Sequence, residues 1–213
     1  MRLFLARHPQ TAWNALGRAQ GHTDIELDEV GCEQAERLAD AMKGQGITAI
    51  FSSDLKRSSA CAERVAEGTG ADLILDPRLR ERRMGEWEGL DYGEWNRRFR
   101  LAALPHDPFM LEIAPPGGES LREVWTRIQP ITEALMASEA PSLVVTHGGT
   151  GSLLLAQLMR ANIESAKSFR FANAGLTELC RRPDGLFNLV RYNDTTHLDG
   201  HAILSGSLDG IAR

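Results

Sequence analysis

Short apolar runs alternate with stretches of helical periodicity along most of this chain. The apolar runs predict strands at residues 3–6, 49–52, 73–75 and 142–146, and a closing hairpin at 176–181 and 186–192. Apolar positions three and four residues apart predict helices at 29–43, 55–67, 91–101, 120–136 and 151–159. Strands separated by helices predict an α/β fold, a three-layer sandwich with helices on both faces of a mainly parallel sheet.

The ends of these elements carry local signals. Ser52 or Ser53 is the expected cap of the helix at 55–67, and Gly68 or Gly70 is expected to end it. The 213 residues predict one domain over residues 1–204, followed by a loose tail at 205–213. An irregular insertion is expected at about 89–119, because four prolines there break any long helix: Pro105, Pro108, Pro115 and Pro116.

Charge and cysteine content narrow the range of partners. The 24 basic and 29 acidic residues give a net charge of −5. The protein therefore has no overall positive charge that would attract nucleic acid or anionic lipid. Any anion must therefore be bound by a local cluster. Cys32, Cys61 and Cys180 match no metal or disulfide spacing and predict free thiols. With no apolar run long enough for a membrane span or signal peptide, we expect a cytoplasmic protein without a membrane partner.

Basic side chains follow three of the predicted strands. Arg7 and His8 come directly after the first strand, Arg57 lies within one helical turn of the second, and His147 follows the strand at 142–146. The carboxyl ends of strands in an open α/β sheet are where ligands bind. Arginines are planar donors for phosphate oxygens. The sequence therefore predicts an anion pocket at this edge of the sheet.

Helix N-termini are expected to add to this pocket. Backbone N–H groups after Ser53 and Gly149 would supply further donors to an anion. Each residue also has a simpler interpretation: an Arg-His pair on the surface, a solvated Arg57, or a hydrogen-bonded loop histidine at position 147. Their joint placement favours a site. Metal-binding spacings such as HExxH and paired cysteines are absent and adjacent arginines would repel a cation, so we expect no metal and no cofactor.

The order and spacing of these motifs resemble the histidine phosphatase superfamily, in its cofactor-dependent phosphoglycerate mutase-like branch. The family's Arg-His-Gly-x-Thr motif corresponds to Arg7-His8-Pro9-Gln10-Thr11. The resemblance covers nearly the whole chain, through residues 7–11, 13–14, 20–21, 27–31, 52–58, 79–81, 85–89, 116–120, 146–149 and 193–198.

The resemblance implies a nucleophilic His8 that forms a phosphohistidine, with Glu81 as the general acid. The implied catalytic residues are His8, Glu81, His147, Arg7 and Arg57. The implied phosphate-binding residues are Arg7, Asn14, Gln20, Gly21, Arg57, His147 and Gly148. The implied substrate is a small phosphate ester, and a homodimer is the default assembly.

Two points of this assignment stay open. Glu81 has the alternative of pairing only with a neighbouring arginine (Arg80, Arg82 or Arg83), in which case Glu86 or Glu88 would be the acid. Pro9 stands where the family has glycine, which removes an N–H. The substitution is harmless if Pro9 starts the next helical turn and costly if that N–H binds the phosphoryl group.

The reaction class follows from residues 81–89. The family's mutases have a tyrosine shortly after the acid, which this chain lacks, and its Trp-Glu-Gly and Pro-Gly-Gly-Glu-Ser motifs are similar to those of phosphatases. We therefore predict a phosphomonoesterase. The alternatives are a phosphoglycerate mutase, for which extra basic residues would be needed, or a catalytically impaired relative that binds phosphorylated ligands. Five arginines are candidates for the mutase role: Arg82, Arg83, Arg97, Arg98 and Arg100.

Overall fold

A computed structural model of the chain describes residues 1–102, 107 and 109–198. The strands are β1 (Arg2–Arg7), β2 (Ala49–Ser52), β3 (Asp72–Leu75), β4 (Ser142–Thr146), β5 (Leu176–Arg181) and β6 (Phe187–Asp194). The helices are α1 (Ala12–Ala15), α2 (Glu29–Met42), α3 (Lys56–Thr69), α4 (Tyr92–Leu101), α5 (Leu121–Ala137) and α6 (Gly148–Leu158). Four short 3₁₀ helices lie at Pro77–Leu79, Gly85–Trp87, Ile163–Ser168 and Thr196–Leu198.

The six strands form one sheet in the order β3-β2-β4-β1-β5-β6. The first four strands are parallel to one another. β5 pairs antiparallel with β1 and with β6, and β5 and β6 form the closing hairpin. Alternate residues of β1 enter different cores, because side chains of a strand alternate between the faces of a sheet. Leu3 and Leu5 pack with α5 and α6, and Phe4 and Ala6 pack with α2 and α3. The three-layer α/β prediction is confirmed.

The register brings the ends of three parallel strands together. β4 lies between β1 and β2, with Arg7 opposite Thr146 and Ser52 opposite Val145. The chain segments that leave these strands therefore start side by side at one edge of the sheet.

Two helix starts differ from the prediction. α3 begins at Lys56 without a side-chain cap, because the Ser53 hydroxyl accepts from the Leu55 N–H before the helix begins. The serine cap was therefore wrong, while Gly70 ends the helix in the left-handed conformation as expected. α6 begins at Gly148 rather than residue 151, with His147 as its N-cap.

The segment at 89–119 contains α4 and is otherwise without helix or strand in its described residues. It contributes to a third apolar cluster, separate from the two cores of the sheet: Ala19, Trp87, Trp95, Phe99 and Ile113. The tail predicted at 205–213 lies outside the described residues. Within the described ranges, no helix is long and apolar enough to cross a membrane.

Candidate active site

His8 lies just past the carboxyl end of β1 and is 3% exposed. Its N–H donates to the Thr146 carbonyl (2.8 Å), and its own carbonyl accepts from the Asn173 side chain (3.0 Å). The ring Nδ1 is 2.7 Å from the Pro9 carbonyl oxygen, which can only accept, so Nδ1 carries the proton. In the neutral ring, Nε2 therefore holds a free lone pair.

The surroundings of His8 disfavour its cationic form. Burial lowers the pKa of His8 well below its usual value of 6.5, and the charges of Arg57 and Arg7 lower it further. The imidazole is therefore neutral at physiological pH. A neutral imidazole with an unprotonated nitrogen is the form required of a nitrogen nucleophile.

Arg57, in the first turn of α3, is fully buried and is held by backbone carbonyls. Nη1 donates to the Thr23 carbonyl (2.9 Å) and Nη2 to the Gly21 carbonyl (2.8 Å). Burial lowers its pKa to about 10, so the guanidinium stays charged at neutral pH. Gly21 thus contributes through a carbonyl that orients Arg57.

Arg7 is the last residue of β1 and directly precedes His8. Its Nη1 donates to the Phe171 carbonyl (2.8 Å), and burial lowers its pKa. The guanidinium lies close to the start of α6, where a Cβ at Gly148 would be 3.6 Å from Cζ. No acceptor for the Gly148 N–H is found among the described residues.

His147 lies beside His8, with ring centroids 5.1 Å apart. Arg57 Nε donates to Nδ1 (3.3 Å), so Nε2 carries the proton and donates to the Ser53 hydroxyl (2.9 Å). Burial, followed by the Arg57 charge, lowers the pKa of His147 well below its usual value. The ring is packed behind the cleft that contains His8 and does not line it.

Glu81 lines the cleft and caps α6. Its carboxylate accepts from the Gly149 N–H (2.9 Å), the Thr150 N–H (3.0 Å) and the Arg82 N–H (2.9 Å). An anion at a helix N-terminus is stabilised by the unpaired amides and the helix dipole. This explains why α6 starts directly after His147.

The amides expected to bind a ligand anion at two helices are therefore occupied. Glu81 takes those of Gly149 and Thr150 at α6, and the Lys56 N–H at α3 donates to Asp24 (2.8 Å). That part of the sequence prediction was wrong. Gly148, one residue before Gly149, lines the cleft, and its N–H has no acceptor among the described residues.

The neighbouring carboxylates have other environments. Glu86 is exposed, and Glu88 is not part of the cleft wall. The Glu88 carboxylate accepts from the His22 N–H (2.9 Å), the Met84 N–H (3.2 Å) and the Thr23 hydroxyl. It thereby joins the segment whose carbonyls hold Arg57 to the segment that carries Glu81. A Cβ at Gly21 would come within 2.3 Å of this carboxylate, which requires glycine there.

Asn14 and Gln20 complete the predicted phosphate-binding set. Asn14 forms a capping box with Thr11 at α1, and its Oδ1 also accepts from Asn173 (3.3 Å). The side-chain oxygen of Gln20 is buried and has no hydrogen-bond partner in the described part of the chain. Pro9 lies before Thr11, the N-cap of α1, so its interpretation as a first helical residue was wrong.

One open cleft is lined by many of these residues. Arg7, Arg57 and Arg82 bring three guanidinium groups to its wall, against a single carboxylate from Glu81. The remaining lining residues are His8, Asn14, Ala19, Gln20, Gly21, Met84, Tyr92, Trp95, Gly148 and Gly149. No group of three His, Cys, Asp or Glu side chains able to hold a metal occurs among the described residues. The cleft is built to bind an anion.

Three supporting residues were missed by the sequence reasoning. Asn173 and Phe171 hold His8 and Arg7 from the segment before β5, and Ser53 accepts from His147. The segment at 169–173 carries no recognised motif. Only its position before β5, the strand adjacent to β1, could have indicated that this segment contacts the site.

The chain belongs to the histidine phosphatase superfamily (branch 1), whose family model matches residues 3–195. The probable phosphoglycerate mutase GpmB of Yersinia pestis (strain Pestoides F) is 30% identical over 216 residues, which cover 95% of this chain and 97% of that protein.

Solved structures of phosphatases are also similar. A mycobacterial glucosyl-3-phosphoglycerate phosphatase has a TM-score of 0.79 and 31% identity, covering 91% of this chain and 99% of that one. The α-ribazole phosphatase from Shigella flexneri has a TM-score of 0.81 and 25% identity, covering 91% of this chain and 96% of that one. Relatives of this chain thus include proteins named as phosphatases and as a mutase.

Proposed function

We propose that this protein hydrolyses a small phosphomonoester through a phosphohistidine on Nε2 of His8. The observation that carries the proposal is the Nδ1–H bond to the Pro9 carbonyl, which leaves Nε2 unprotonated between Arg7 and Arg57. The two arginines are fixed by backbone carbonyls, so they need little reorganisation to receive phosphoryl oxygens.

The reaction has two displacement steps. Nε2 attacks phosphorus while the bond to the ester oxygen breaks, and Glu81 in its acid form gives a proton to the leaving alkoxide. Water then attacks the phosphohistidine, Glu81 takes its proton, and inorganic phosphate leaves. Arg7, Arg57 and the Gly148 N–H neutralise the oxygens in both steps, with Asn14 and Gln20 at the cleft wall.

His147 supports this arrangement from behind the nucleophile. Its Nδ1 accepts from Arg57, so it fixes the guanidinium plane next to His8. His147 therefore contributes to the phosphate site through Arg57, as a positioning residue.

Trapping of the covalent intermediate tests the proposal. Rapid alkali quench of the protein with ³²P-labelled substrate is expected to yield a labelled phosphoenzyme that is stable in alkali and loses its label in acid. His8→Ala should lose the label, and His197→Gln, a histidine outside the cleft, should keep it. Label that persists in His8→Ala would overturn the assignment of the nucleophile.

A phosphoglycerate mutase is the second candidate, since the Yersinia relative is named as one. A mutase must retain a bisphosphate, which requires cations beyond those that bind the transferred phosphoryl group. Of the five candidate arginines only Arg82 lines the cleft, and both Arg97 and Arg98 pair with Glu94. We expect 3-phosphoglycerate with catalytic 2,3-bisphosphoglycerate to release phosphate slowly and to give little 2-phosphoglycerate. Isomerisation faster than phosphate release would show a mutase.

Turnover of p-nitrophenyl phosphate separates both enzymes from an impaired phosphate-binding relative. This aryl ester needs no proton on its leaving group, so a nucleophilic His8 suffices for the first step, and turnover continues when water attacks the phosphohistidine. We expect steady turnover. Phosphate binding without turnover would show the impaired relative instead.

A further inference from the structure

The main-chain carbonyl of Glu81 accepts hydrogen bonds from two side chains that are distant in sequence. Nε2 of His22 lies 2.7 Å from this oxygen, and Nη2 of Arg127 donates to it at 3.2 Å. A carbonyl oxygen can only accept, so Nε2 of His22 carries the ring proton. The imidazole of His22 therefore holds the backbone of the residue that we assign as the acid.

The two donors differ in what else they contact. Arg127 also donates to two earlier carbonyls of the same segment and pairs with Glu119, so it attaches the whole segment to α5. The ring of His22 has its one hydrogen bond within the described part of the chain at the Glu81 carbonyl, and Glu119 lies 3.9 Å from Nε2. The imidazole of His22 thus acts on Glu81 specifically.

His22 also lies between the two residues whose carbonyls hold Arg57. Gly21 accepts from Nη2 of the guanidinium, and Thr23 accepts from Nη1. The main chain of His22 therefore belongs to the segment that orients a phosphate-binding arginine, while its side chain contacts Glu81. One residue connects the group that would bind the phosphoryl oxygens to the group that would protonate the leaving oxygen.

The two connections of His22 are separable. The Glu88 carboxylate accepts from the His22 N–H and from the Thr23 hydroxyl, so it holds the main chain of this segment without the imidazole. Burial lowers the pKa of His22 from its usual 6.5, so the ring is neutral at pH 7 and donates through Nε2 alone. Loss of the ring would leave the support of Arg57 in place and remove one donor to the Glu81 carbonyl.

We propose that His22 is a positioning residue, which through the main chain of Glu81 keeps the carboxyl group at the place from which it protonates the leaving oxygen. This inference rests on the proposed phosphatase function. A proton donor must lie within hydrogen-bond reach of the atom that it protonates, so a displaced Glu81 slows only those reactions that need the proton.

Two aryl esters of similar shape measure that need. The phenolate that leaves phenyl phosphate is about as basic as tyrosinate, with a conjugate acid of pKa about 10, whereas p-nitrophenolate departs without a proton. Release of the phenol under single-turnover conditions, with the protein in excess, reports the first step. Reaction of the wild type with p-nitrophenyl phosphate but not with phenyl phosphate would overturn the inference alone. Reaction with neither would overturn the proposed function.

Variants of His22 then test the role of its N–H. His22→Leu should slow release of phenol about 3- to 10-fold, the range of one hydrogen bond, and should leave release of p-nitrophenol within about 2-fold of wild type. His22→Gln is the matched control, because its amide N–H occupies the position of Nε2, and it should restore release of phenol. Equal losses with both esters, or no loss with either, would overturn the proposal.

A double variant tests whether His22 acts through Glu81. His22→Leu should have no further effect on release of phenol when it is added to Glu81→Gln, because the side chain at position 81 then has no proton to give. A further loss as large as that in the single variant would overturn the proposal. If His22→Leu does not fold, His22→Asn decides in its place: its shorter amide does not reach the Glu81 carbonyl, so the same selective loss is expected and its absence overturns the proposal.

Discussion

The two buried imidazoles predict how the stability of the fold depends on pH. His8 and His147 have pKa values far below 6.5 in the folded protein, mainly through burial, whereas the unfolded chain binds protons near pH 6.5. Unfolding therefore takes up protons below pH 6.5. The free energy of unfolding decreases as the pH is lowered from 6.5 toward the pKa that the histidines have in the folded protein.

The expected size follows from this linkage. Between pH 7 and pH 5, each histidine that stays neutral in the fold lowers the free energy of unfolding by about 2 kcal/mol, or about 4 kcal/mol for the pair. Since domains of this kind have about 5–15 kcal/mol in total, the effect is large.

Urea unfolding at pH 7 and pH 5 measures the difference. Carboxylates whose pKa is lowered in the folded protein also reduce its stability in acid. Their contribution is the same in the wild type and in the variant. His147→Gln keeps a donor for Ser53 and should reduce the loss between the two pH values by about 2 kcal/mol. A pH dependence identical to wild type would refute the reasoning, because it would mean that His147 binds its proton equally in both states.

Three further predictions concern the cleft. Glu81→Gln should slow phosphorylation of His8 by an alkyl phosphate by about 10²–10⁴-fold and by p-nitrophenyl phosphate far less, since that leaving group needs no proton; equal losses in single-turnover kinetics of this first step would leave Glu81 only a positioning role. Glu88→Ala should raise KM about 10-fold, because the carboxylate fixes the loop that orients Arg57, while Glu86→Ala should match wild type. A raised KM in both would point to a general charge effect. EDTA should leave turnover unchanged, and a loss restored by one divalent ion would contradict arginine-based neutralisation.

The parts of this protein that could be predicted from sequence depend on local periodicity. β4 has the predicted bounds because Ser142–Thr146 is a fully buried run. Once parallel strands are assigned, the joint placement of Arg7, His8 and Arg57 follows from the sheet itself. The four residues of α1 are too few to show helical periodicity, so that element was missed.

The unpredicted contacts join residues far apart in the chain. Glu81 caps a helix whose amides lie 68 and 69 residues later, and Asn173 holds a carbonyl 165 residues before it. Such pairs leave no pattern in any window of sequence. Their effect was nevertheless large, because the capping by Glu81 set the start of α6 and removed two amides from the predicted anion site.

The orientation of His8 by the Pro9 carbonyl has a consequence for the evolution of this site. Histidine nucleophiles and bases are often aligned by a carboxylate, a partner that a single substitution can remove or that acid can protonate. Here the aligning oxygen belongs to the main chain. Every amino acid at position 9 supplies a main-chain carbonyl, so a substitution there changes the side chain and the N–H but does not remove the acceptor. The proline in place of glycine thus keeps the oxygen that orients the ring of His8.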